Sequence, residues 1–64
     1  MYDWKPEGDA RSLTLDGRRF WANATRLGWN LSEIDAPSGL VKMIADNIKW
    51  SDIDRALQQY IGGN

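Results

Sequence analysis

Residues 38–48 read SGLVKMIADNI, and the spacing of their apolar positions decides the fold class of the 64-residue chain. Leu40, Val41, Ile44, Ala45 and Ile48 recur at three- and four-residue intervals, the stripe of an amphipathic helix. Ser38 is placed to cap that helix and Asn47 to end it in the left-handed conformation. The expectation is a helix over about 39–47. On its C-terminal side Ser51 opens a second helix, with Asp52 favourable in the first turn and Asp54 completing a weak capping box. Ile53, Ala56, Leu57, Tyr60 and Ile61 fall on i, i+3, i+4, i+7 and i+8, and Gly62-Gly63 ends the run. This places a helix over about 52–61, with Trp50 poised to staple against Ala56. Residues 38–61 thus read as a helical hairpin.

On the N-terminal side, residues 23–37 read as an irregular connection or short helical turns. Asn23 can open a turn that Gly28 ends, and Ser32-Glu33-Ile34 another that Pro37 stops. Leu27, Trp29, Leu31 and Ile34 are its expected core contributions. Before it stands RSLTLDGRRFWAN, residues 11–23, in which Asp16-Gly17 separates two extended runs. An Asp-Gly pair in that setting signals a two-residue hairpin, because a type I′ turn needs positive φ at both centres. Strands are expected over about 11–15 and 18–22. The turn sets Leu15 opposite Arg18, Thr14 opposite Arg19, Leu13 opposite Phe20 and Ser12 opposite Trp21. Alternation then gathers Leu13, Leu15, Phe20 and Ala22 on a core face, joined by Arg18 at the turn. Ser12, Thr14, Arg19 and Trp21 share the amphipathic face. Residues 1–10 have no period and read as an irregular arm, pinned by Tyr2 or Trp4. A lone hairpin is marginal in water, so its core face needs a cover. The expected architecture is an α+β single mini-domain over 1–64, a two-stranded antiparallel hairpin packed on two C-terminal helices.

Composition narrows the function by exclusion. A chain this short buries only about 60% of its unfolded surface, which makes four tryptophans, Tyr2, Phe20 and Tyr60 the natural staples. With no cysteine and no histidine, disulfide frameworks, zinc fingers and iron–sulfur sites are excluded. The commonest catalytic bases and nucleophiles go with them. The carboxylates sit at caps, in turns and in the arm, and no glycine-rich loop is placed to cradle a phosphate. The expectation is no enzyme, no cofactor and no metal. No basic segment leading an apolar run opens the sequence, and no stretch approaches about 18 apolar residues. A cytoplasmic protein without membrane contact is therefore expected.

The net charge of −1 divides into +1 over residues 1–31 and −2 over residues 32–64, too little in either half to mark a polyanion binder. Arginine and tryptophan are the side chains most enriched at protein–protein hot spots. Arg18, Arg19, Trp21 and Arg11 are accordingly the favoured contact group of a non-enzymatic protein-binding module. An inhibitor or adaptor of the phage or mobile-element type fits that description, facing a partner with an acidic patch. A second copy of the chain is a further candidate partner. A competing reading folds Trp21 under the arm, with Arg19 stacked on it. The alternative function is DNA binding of winged helix-turn-helix type, with Arg19, Arg55, Gln58 and Gln59 touching nucleic acid. Against it, Asp52 and Asp54 stand at the helix end that would face phosphates.

Overall fold

The computed structural model describes residues 2–63. Along the chain it forms β1 (Lys5–Glu7), β2 (Ala10–Leu15), β3 (Arg18–Ala24), β4 (Trp29–Ile34), β5 (Val41–Ile48) and α1 (Trp50–Gly62). The strands pair in sequence order as one antiparallel meander, β1-β2-β3-β4-β5, and α1 lies across one face. The hairpin of β2 and β3 has the expected register, Leu15 opposite Arg18 through Ser12 opposite Trp21. Asp16 and Gly17 carry φ of 51° and 79°, as a two-residue type I′ turn requires.

The expected α+β arrangement of one hairpin on two helices is overturned: the chain is a five-stranded antiparallel sheet with one helix among the described residues. Residues 39–47 are not helical, and the helical hairpin of 38–61 does not form. Val41–Ile48 is the edge strand β5, and its register against β4 slips twice, between Trp29 and Leu31 and between Leu31 and Ser32. Each slip inserts an extra residue on β5, so Ile44, Ala45 and Ile48 all reach the core. Two bulges thus counterfeit a helical stripe. Asn47 does adopt the left-handed conformation, with φ of 54°, but within a bulge rather than at a helix end. Its N–H donates to Asn30 Oδ1 at 3.0 Å. Ser38 caps no helix; its hydroxyl donates to Asp35 Oδ2 in the β4–β5 loop.

The segment read as irregular over 23–37 contains β4, and the arm read as irregular over 1–10 contains β1. Between β3 and β4 the chain turns on Gly28, where φ is 149° and a Cβ would stand 2.6 Å from the carbonyl oxygen of Ile48. The turn thereby presses against β5. Thr25 ties it down, its hydroxyl bonding the Gly28 carbonyl and Asn47 Oδ1, each at 3.1 Å.

The core comes from both layers. Leu13, Phe20, Ala22 and Leu31 of the sheet meet Ile53 and Leu57 of α1, four residues apart on one helix stripe. Each large apolar side chain fully buried in this way contributes about 1.5–3 kcal/mol. Helix α1 begins earlier than the expected 52–61, with Lys49 as N-cap residue and no side-chain cap; Ser51 lies inside the helix. Asp54 serves no capping box: its Oδ2 accepts the Tyr2 amide at 3.0 Å and its Oδ1 the Trp4 indole N–H at 2.7 Å. Trp50 packs on Trp29 and Trp4, with ring centroids 4.6 Å and 5.9 Å away. No helix among the described residues is long and apolar enough to cross a membrane.

Candidate functional site

Alternation along each strand divides the sheet into a face covered by α1 and a face that no element covers among the described residues. Because the β2–β3–β4–β5 registers are known, the open face can be followed as two cross-strand rows. One runs Thr14, Arg19, Ile34, Val41; the next runs Ser12, Trp21, Ser32, Met43. Strand spacing makes each row about 14 Å long. The β5 end is apolar and open to solvent, with Val41 64% and Met43 56% exposed. Ile34 and Trp21 are half-buried between them and the polar end, where Arg19 and Thr14 are exposed. Trp21 is held in place along its own strand, its indole N–H donating to Asn23 Oδ1 at 2.7 Å. Ser32 lies buried in the middle of the second row.

Of the proposed contact group, Arg19 and Trp21 share this face, whereas Arg18 and Arg11 lie on the other side of the sheet. Arg18 is committed within the fold. Its Nε and Nη2 reach the two carboxylate oxygens of Glu33, each at 2.8 Å, and its guanidinium stands 5.5 Å from the Phe20 ring centroid and 5.7 Å from that of Tyr60. The Tyr60 hydroxyl also donates to Glu33 Oε1, at 2.9 Å. Hydrogen bonding from Arg18, reinforced by that from Tyr60, outweighs desolvation and holds the Glu33 carboxyl down at about 2. The same bond raises Arg18 above the usual arginine value. Arg11 stands 5.8 Å from the Trp29 centroid and bonds the carbonyl of Ala10. Arg19 forms no cation–π pair with Trp21 among the described residues, so the stacked arrangement weighed from sequence does not occur.

Arg55, Gln58 and Gln59 are exposed on the solvent side of α1, where Arg55 pairs with Asp52 at 2.7 Å. They stand across the sheet from Arg19, and the first helix of the supposed helix-turn-helix is a strand. The winged helix-turn-helix geometry is therefore gone. No group of three or more acidic side chains gathers as a metal site among the described residues.

Sequence reasoning missed Ile34, Val41 and Met43 as surface residues. Val41-Lys42-Met43 does alternate, which was the available signal; the longer helical spacing concealed it. No protein-family model matches the chain, and no curated protein or solved structure matches it at a significant level.

Proposed function

We propose that the chain is a non-enzymatic protein-binding module whose contact surface is the open sheet face. The observation that supports this reading is one surface carrying exposed Val41 and Met43, half-buried Ile34 and Trp21, and an Arg19 that makes no ion pair among the described residues. A contiguous apolar patch beside arginine and tryptophan has the make-up of a hot spot with a polar margin. A partner with an apolar patch bordered by carboxylates complements it. Arg18 and Arg11 lie on the opposite side of the sheet, so this reading rests on Arg19 and Trp21. An inhibitor or adaptor role is consistent with such a small single-surface module.

The test is differential capture from the source cell or its host, using the parent chain, Arg19→Glu, Val41→Asp and, as a control on the helix side, Arg55→Glu. A protein retained by the parent and by Arg55→Glu but lost from both open-face variants supports the reading. Equal retention by all four sinks it.

One observation favours a second reading: Arg19 and Trp21 on one exposed face suit a phosphate contact beside a base-stacking ring. The face is poor in charge for that task, carrying Lys5 and Arg19 against Glu7. Salt-sensitive amide shifts at Arg19 and Trp21 on titration with a mixed-sequence DNA duplex would put nucleic acid ahead of protein.

A further inference from the structure

Away from the open face, the residues before β1 and the first turn of α1 enclose a small cleft of about 170 Å³, lined by Tyr2, Asp3, Trp4, Trp50, Ser51 and Asp54. Three of its walls are aromatic and two carry carboxylates. Trp4 and Trp50 meet edge to face at 63°, with centroids 5.9 Å apart, so their planes form a corner. Trp50 stays 37% exposed despite its contacts with two other indoles. Asp54 accepts only neutral donors, the Tyr2 amide and the Trp4 indole, and no lysine or arginine lies within 4.0 Å of it among the described residues. Among the described residues no cation pairs with it, and Asp3 has only the loose pair with Lys5, at 4.0 Å between two highly exposed side chains.

Aromatic faces attract cations through their quadrupoles, and a methylated ammonium, being weakly hydrated, loses little on leaving water. The carboxylates add attraction for a cation and repel anions. They also offset the positive end of α1, which would otherwise oppose a cation there. The volume falls well below the roughly 300–1,000 Å³ of pockets that enclose drug-sized ligands, so the cleft has room for a head group and little more. From this combination we propose that the cleft binds a quaternary ammonium head group, carried by a free small molecule or by a trimethylated lysine. The site is independent of the protein-binding face.

The experiment is a heteronuclear NMR titration of the 64-residue chain, following the Trp4 and Trp50 indole signals. The probes are choline, its uncharged isostere 3,3-dimethylbutan-1-ol, and a short peptide containing trimethyl-lysine. Choline is expected to shift both indoles and to bind roughly 2- to 30-fold more tightly than the alcohol, the factor that cation–π attraction supplies. Trp50→Leu should weaken choline by a similar factor. Asp3→Asn, at an exposed position, should weaken it while leaving thermal unfolding unchanged, which keeps the test valid if the Trp50 variant misfolds. A peptide that binds more tightly than choline identifies a modified protein as the source; one that binds no better identifies a small molecule. Equal binding of the alcohol, shifts that map elsewhere, or no shifts at all would overturn the proposal.

Discussion

Arg18 and Arg19 are neighbours in the chain and opposites in environment. Arg18 points to the side that α1 covers, where Glu33, Tyr60 and Phe20 surround it; Arg19 points to the side left open, beside Ile34 and Trp21. The difference follows from strand alternation alone, since successive side chains leave a sheet on opposite faces. It teaches how a 64-residue chain can hold adjacent side chains in two different environments. The covered face supplies the stability of a domain that has only a few kcal/mol to spare. The open face can then hold exposed groups, Arg19, Val41 and Met43, that bury little surface.

Substitutions should sort by face. Phe20 is fully buried between sheet and helix, so Phe20→Ala is expected to cost about 3–5 kcal/mol and leave the chain largely unfolded at room temperature. Circular dichroism against urea would show it. Gly28→Ala comes next: its Cβ meets the Ile48 carbonyl, and relieving that overlap is expected to cost about 1–3 kcal/mol, read as a lowered melting temperature. Glu33→Gln is expected to lose less, with a distinctive dependence on pH. The folded carboxyl titrates at about 2, below its unfolded value near 4.3, so its contribution is complete above that unfolded value and disappears as pH falls toward 2. The gap in melting temperature between parent and Glu33→Gln should therefore be widest near neutrality and close in acid. Smallest of all, Met43→Ser on the open face should shift stability by no more than about 0.5 kcal/mol. A large loss there would mean that the open face also holds the fold together.

The same contrast explains what could be read from sequence. The register of the β2–β3 hairpin was legible to the residue because Asp16-Gly17 fixes it locally, though the strands run on to Ala10 and Ala24, beyond the expected 11–15 and 18–22. Strand β4 was not, because Glu33 faces inward and Ile34 outward, against the usual polarity. That reversal makes sense only with Arg18 and Tyr60 in view, 15 and 27 residues away. Strand β5 failed for another reason. Its bulges bring Ile44, Ala45 and Ile48 inward at helical spacing, while Leu40, the first member of the supposed stripe, is 71% exposed. Strand β1 is three residues long and includes Pro6, and nothing in it signals a strand apart from its partner β2. Within the site, Arg19 and Trp21 were found because they belong to the legible hairpin; Ile34, Val41 and Met43 were hidden because they belong to the two misread strands.

The measurement that most directly tests the division between faces is thermal unfolding of Arg18→Ala and Arg19→Ala at neutral pH, side by side with the parent. The two-face arrangement predicts that Arg18→Ala melts at a clearly lower temperature, whereas Arg19→Ala melts with the parent. Equal losses, or a greater loss from Arg19→Ala, would contradict it.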